Sequence, residues 1–160
     1  TLQYSRSGDY NADPYAVPLN EGVPSLEEMT KVALNVLDED PDGFFLMVEG
    51  SQIDWGGHDK DTDYIIDEML DFDRAIGNAL EFAKKDGNTL IIVTADHETG
   101  GMAVHDGSVQ NRQVAETAFT TTGHTAAMVP LFAYGPGSNR LSGIQDNARV
   151  GQTLIKLLLQ

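Results

Sequence analysis

Cysteine is absent from all 160 residues, so neither a disulfide framework nor a thiolate metal site is open to this chain. That absence leaves the compartment undecided. Long apolar runs are missing too, and none reaches the roughly 20 residues that cross a bilayer as a helix. Basic residues are scarce: 10 Lys and Arg stand against 25 Asp and Glu, a formal charge of −15. Such a surface repels the phosphate backbone of nucleic acid and an anionic membrane, so neither is expected as a dedicated partner. The surface acids otherwise read as solubility. No repeat, linker or low-complexity tract interrupts the chain, and 41% hydrophobic residues suffice for one domain with a sizeable core. Nor is there an initiating Met, a signal peptide or a charged leader; the start at Thr1 suits a mature protein or a piece of a larger one.

Residues 1–22, rich in Asn, Asp, Gly, Pro and Tyr, read as an extended lead-in. Ser25 with Glu28 forms a capping box, and Leu26, Met29, Val32, Ala33, Val36 and Leu37 follow at helical spacing. A Pro41-Asp42-Gly43 turn then leads into an apolar run from Phe44, which reads as a buried strand. The longest periodic segment, residues 61–85, predicts an amphipathic helix that Asp86-Gly87-Asn88 closes. Asp59, Asp61 and Asp63 suit the start of that helix, and Lys84 and Lys85 its end. A calcium loop is not the better reading of those acids, because the loop glycine and the terminal bidentate Glu are missing.

Residues 89–95 and 128–134 are two further apolar strands. The first has the near-continuous apolar character of a strand buried on both faces in a parallel sheet. Between them, residues 102–119 suggest two short antiparallel strands joined through Asp106-Gly107-Ser108. Residues 146–159 predict a last amphipathic helix. This alternation of helices and apolar strands predicts an α/β fold, a mostly parallel sheet covered by helices on both faces.

The chemistry concentrates at the strand ends. Residues 44–60, FFLMVEGSQIDWGGHDK, release Glu49, Asp54 and His58 after the apolar run. Asp54 and His58 are four apart, so one helical turn sets both on one face. Gly56 and Gly57 between them permit a tight backbone or a close approach. The strand at 89–95 ends in Asp96 and His97, where open α/β sheets bind ligands. His124 lies in TTTGHT, immediately ahead of the strand at 128–134. His105 has no second ligand at suitable spacing and reads as a surface histidine. One carboxylate and two imidazoles, from Asp54, His58 and His124, make a zinc set with a coordination position left open, as in catalytic sites. Asp96 and His97 offer a further carboxylate and imidazole, and Glu49 is a hard oxygen ligand suited to magnesium. Two zinc ions about 4 Å apart would clamp the attacking and leaving oxygens of an in-line displacement at phosphorus. The second zinc set and the magnesium set are both incomplete in this chain.

These motifs together carry a family resemblance. VEGSQIDWGGHD at 48–59, TADHETGG at 94–101, TTGHTAAMVPLFAYGPG at 121–137 and the preceding PSLEEMTKVAL resemble the C-terminal part of an alkaline phosphatase. The likeness runs from about Leu2 to the end. It implies a portion of a three-layer αβα domain with a mostly parallel central sheet, occupying residues 1–160, whose N-terminal half is not present. It implies two zinc ions and magnesium as cofactors, with Asp54, His58 and His124 on the first zinc, Asp96 and His97 contributing to the second, and Glu49 to magnesium. Small phosphate monoesters are the implied substrates, hydrolysed through a phosphoserine. A periplasmic or extracellular setting goes with the likeness, and a homodimer is compatible with it.

The departures bear on mechanism. No Asp-Ser-Ala-type nucleophile motif is found, and Ser51 beside the metal motif is not promoted to that role. The serine that is phosphorylated, the arginine that grips phosphate and the remaining metal ligands belong to the family's N-terminal half. The short span between His97 and His124 suggests that no large domain is inserted there. Trp55 either shapes the phosphate pocket or packs. Two rivals stand beside this reading. One is another metal-dependent member of the superfamily, a phosphodiesterase or a cofactor-independent phosphoglycerate mutase; a magnesium ligand at Glu49 speaks against the phosphodiesterase. The other is a non-enzymatic zinc-binding or acidic interaction module with a closed metal site.

Overall fold

The computed structural model describes residues 24–159, so the expected lead-in lies outside the described residues. Helix α1 (Leu26–Leu37) begins at the capping box: Ser25 Oγ accepts from the Glu28 amide at 3.1 Å, and the Glu28 carboxylate accepts from the Ser25 amide at 2.9 Å. It packs along the long helix α3 (Thr62–Asp86); Leu34 and Thr30 of α1 are buried, as are Tyr64, Ala75 and Ala83 of α3. Asn78 Nδ2 donates to Glu27 Oε1 at 3.1 Å across this seam.

Between the two runs the apolar segment expected as a strand. Residues 44–48 have no strand partner among the described residues. Their side chains still alternate: Phe44, Leu46 and Val48 are half-buried, whereas Phe45 and Met47 are exposed. Phe44 meets Phe82 of α3 at 6.1 Å between ring centroids. One face therefore has a neighbour in α3, which periodicity can foretell, while the backbone pairing it cannot foretell is not found here.

Helix α2 (Gln52–Asp59) is short and ends at Lys60, whose φ of 57° is left-handed. Asp61 restarts the chain as the cap of α3, its Oδ1 accepting from the Tyr64 amide at 3.0 Å. The two helices meet closely because Gly56 has no side chain; a Cβ there would stand 2.9 Å from Ile65 Cγ1. Helix α3 stops at Gly87, with φ of 78°, as the sequence predicts.

The strands depart from expectation. β1 (Ile91–Thr94) and β6 (Leu131–Tyr134) pair antiparallel, from Ile91 opposite Tyr134 to Thr94 opposite Leu131. β2 (Glu98–Thr99) and β5 (His124–Thr125) pair antiparallel as well, as do β3 (Ala103–Ser108) and β4 (Gln113–Ala118). Among the described residues every strand pairing is antiparallel, so the expected mostly parallel sheet is not found there. An apolar run records burial, not direction. Direction was encoded elsewhere: Asp96 and His97 follow β1, whereas His124 precedes β6. Antiparallel pairing therefore brings both loops out at one end of the β1–β6 ladder.

A correction concerns the hairpin. Asp106-Gly107-Ser108 lies inside β3 at a register shift, and the turn falls later, at 109–112. There the Arg112 amide donates to the Val109 carbonyl at 3.2 Å, with Arg112 at φ of 52°. Gly107 serves close approach of the strands, since a Cβ on it would stand 2.6 Å from the Gln113 carbonyl oxygen.

After β6 a 3-10 turn (Ser138–Leu141) buries Leu141, and helix α4 (Asn147–Leu158) starts from the Asp146 cap. No helix among the described residues is long and apolar enough to cross a membrane.

Candidate metal centre

Asp54 and His58 stand one turn apart on α2, and His124 opens β5. Their ligand atoms all lie within 4.8 Å of one another. His58 Nε2 is 3.3 Å from Asp54 Oδ2, His124 Nε2 is 3.4 Å from Asp54 Oδ1, and the two Nε2 atoms are 3.2 Å apart. Donors around a tetrahedral zinc at about 2.0–2.1 Å stand about 3.3 Å from one another, so this spacing fits one ion.

Tautomers support the fit. His58 Nδ1 lies 2.5 Å from the Thr122 carbonyl oxygen, which can only accept, so the ring proton sits on Nδ1. The Nε2 lone pair then faces the carboxylate and the second imidazole. With His124 in the matching tautomer, three donor atoms would face one point, where a cation would be held. A ligating imidazole held through its other nitrogen by a carbonyl is the usual support in metal sites.

His97 adjoins this cluster. Its ring stacks on that of His124, with centroids 3.5 Å apart and planes 19° from parallel. Asp96 Oδ2 is 3.2 Å from His97 Nε2, and the Asp96 side chain is 86% exposed. Asp96 and His97 are therefore brought together beside the first set, but with less support. Glu49 is exposed in the segment before α2 and is not among the residues whose ligand atoms converge. His105 is exposed on β3, away from any such group among the described residues. Trp55 is half-buried on α2.

Several residues that shape the centre escaped the sequence reading. Thr99 Oγ1 donates to Asp54 Oδ1 at 2.5 Å and lies 3.2 Å from His97 Nδ1. Glu98 ties the loop together: its carboxylate accepts from the Gly101 amide at 3.1 Å, from the Met102 amide at 3.3 Å and from the Thr125 hydroxyl. In TADHETGG these residues look like a polar turn closing a strand. The only available signal was their place directly after Asp96 and His97.

α2 can approach this loop because Gly57 is bare. A Cβ there would stand 2.9 Å from both Thr99 Cβ and the Thr99 carbonyl oxygen. Gly100, at φ of 92°, lies against the Gly57 carbonyl in the same contact. Gly57 is thus a packing requirement of the centre, as Gly56 is of the contact between α2 and α3.

Comparison with known proteins converges on one group. A family model described as alkaline phosphatase matches residues 2–111 and 102–159. Alkaline phosphatase 3 of Bacillus subtilis is 31% identical over 91% of this chain and 46% of its own length. The alkaline phosphatase of Escherichia coli K12 is 35% identical over 84% of this chain and 32% of its own. Among solved structures, alkaline phosphatase from the Antarctic bacterium TAB5 matches with a TM-score of 0.75 and 47% identity, over 83% of this chain and 40% of that one. A mutant of the TAB5 enzyme with Mg bound in its M3 site matches with a TM-score of 0.74 and 46% identity, over 83% and 41%. The fold is accordingly alkaline phosphatase-like α/β, and the chain spans less than half the length of these relatives.

Proposed function

The chain belongs to the alkaline phosphatase family, and from that premise we propose that it supplies the greater part of the metal centre of a phosphomonoesterase. The observation that carries the reading is the convergence of Asp54, His58 and His124 at tetrahedral spacing, with His97 stacked against them. Asp54 Oδ1 or Oδ2, His58 Nε2 and His124 Nε2 would hold one zinc. Asp96 and His97 would contribute to a second, and Glu49 to magnesium.

These ions, when bound, supply Lewis-acid stabilisation of the oxygens entering and leaving phosphorus. The chain's own residues prepare that chemistry. His58 keeps its proton on Nδ1 through Thr122, which leaves Nε2 free. Asp54 bridges toward both imidazoles, one oxygen to each. A phosphate monoester dianion repels an incoming oxyanion, so charge compensation around phosphorus is the first requirement of the reaction.

The nucleophile of this reading is a serine that passes through a phosphoserine, and both it and the phosphate-gripping arginine lie outside these 160 residues. An exported setting, periplasmic or extracellular, belongs to the same reading, as do small phosphate monoesters as substrates.

The test compares these 160 residues with a protein extended through the upstream half, each supplied with zinc and magnesium, on a chromogenic phosphate monoester. The extended protein should turn over at least about 1,000-fold faster, because a nucleophile and its electrostatic partners act as a unit. A strong chelator should abolish that activity, and zinc with magnesium should restore it. Equal rates from the short and long forms would place the nucleophile within this chain and overturn the division of labour. Full activity in a metal-free preparation would remove the two-zinc mechanism.

A further inference from the structure

β2 contributes only Glu98 and Thr99, yet Thr99 touches residues of both halves of the centre. Its hydroxyl lies 2.5 Å from Asp54 Oδ1 and 3.2 Å from His97 Nδ1. A carboxylate only accepts, so the single hydroxyl proton points at Asp54. The oxygen then presents lone pairs to His97, and Nδ1 has to bring its own proton. Thr99 thereby favours the Nδ1–H form of His97, while Asp96 Oδ2, 3.2 Å from Nε2 on a side chain 86% exposed, competes for the proton from the other side.

The Thr99 backbone is equally placed. It pairs with His124 in the β2–β5 ladder, and the His124 ring stacks on His97. The side chain packs against Gly57 of α2, one turn from Asp54, so that helix and strand meet without an intervening side chain.

We infer that Thr99 is a positioning residue whose hydroxyl couples the two metal-ligand sets, orienting Asp54 while it biases His97 toward the Nδ1–H tautomer. The inference rests on the metal-centre reading above. It makes the sets interdependent: removing one hydroxyl disturbs a ligand of each. A serine in place of Thr99 keeps the hydroxyl and loses the methyl group. A valine keeps the shape and loses the hydroxyl.

The experiment uses the full-length protein as wild type, Thr99→Val and Thr99→Ser. Zinc affinity is read by competition with a chromophoric chelator. The His97 tautomer is read from long-range proton–nitrogen imidazole spectra of the metal-free protein at alkaline pH. Wild type should show His97 protonated on Nδ1. Thr99→Val should bind zinc about 10- to 100-fold more weakly, the range usual for lost support of a ligand, and should show mixed tautomers at His97. Thr99→Ser should recover most of the affinity and the Nδ1–H signature. Wild-type affinity in Thr99→Val would overturn the inference. So would a Thr99→Ser as weak as Thr99→Val, which would assign the effect to the methyl group against Gly57. A His97 proton on Nε2 in the wild type would overturn it directly. Should Thr99→Val fail to fold, the wild-type spectrum and Thr99→Ser still decide. If the wild type takes up no zinc, the metal-centre reading fails, and the tautomer of the metal-free protein judges the hydroxyl separately.

Discussion

The two halves of the centre are built from the same residue types and are held very differently. Asp54 and His58 are fixed by a helical turn, His124 by the start of a strand, and both Asp54 and His58 have a second atom engaged, by Thr99 and by the Thr122 carbonyl. Asp96 and His97 sit on the loop after β1. His97 is braced by Thr99 and by stacking on His124, but among the described residues Asp96 reaches only His97, through that residue's ring and amide. Regular elements from two parts of the chain converge and bring three donors to one point. Neighbours on a loop leave a set open to donors from elsewhere, which agrees with the proposed need for an upstream half.

The largest test of that contrast is a pair of histidine substitutions in the full-length protein. His124→Ala removes one donor of three from the first set, so about one zinc equivalent should be lost and activity should fall by at least about 100-fold. His105→Ala, on the exposed hairpin, should leave both unchanged. Metal content by atomic spectroscopy checks the pair, and equal losses would mean that the histidines are wrongly assigned.

A second substitution strikes the contact between the halves. Gly57→Ala places a Cβ against Thr99 Cβ and backbone oxygen, both at 2.9 Å, and a backbone atom cannot swing away as a side-chain tip can. Overpacking of this kind costs about 1–3 kcal/mol, and a thermal denaturation midpoint lowered by several degrees should report it. Unchanged stability together with unchanged zinc affinity would mean that α2 and β2 are not held in register by that contact.

Glu98→Gln is expected to act more gently. The amide keeps an acceptor for the Gly101 or Met102 amide, but weakens the charge-assisted bonds that fasten β5 to the loop. A loss of about 1 kcal/mol in denaturant unfolding is the expected size. His124 should be affected more than His58, because Thr125 adjoins it in β5.

The smallest effect lies far from the centre. Asp86, exposed at the end of α3, has its carboxyl held below the usual range by the Thr89 hydroxyl and then by the Asn88 amide. A lowered folded-state value means stability that is present above the unfolded value and is lost as pH falls through the folded one. Asp86→Asn should therefore lower stability slightly near neutral pH, make its fall in acid shallower, and leave zinc binding unaltered. A changed zinc affinity would show that the helix end communicates with the centre.

How much of this was legible follows from how local each feature is. The caps at Ser25, Asp61, Gly87 and Asp146 are decided within a few residues, and all four stand where the sequence places them or within one position. Asp54 and His58 needed only the helical repeat. Strand direction needed the partner of β1, which lies some 40 residues on, and an apolar run is silent about it. The polarity of the motifs, one after its strand and one before, carried that information unread. Thr99 and Glu98 were hidden for another reason: a strand of two residues has no period, and their hydrogen bonds run to Asp54 and Thr125. Asp106-Gly107 misled because a turn signal and a bulge signal share the same residues.

The central claim, that Asp54, His58 and His124 jointly hold a zinc ion, is met most directly by anomalous diffraction at the zinc edge from crystals of the full-length protein. The account predicts a strong peak at about 2.0–2.2 Å from an Asp54 carboxylate oxygen, His58 Nε2 and His124 Nε2. A peak at His105, ligation through His58 Nδ1, or no zinc at this cluster in active protein would contradict it.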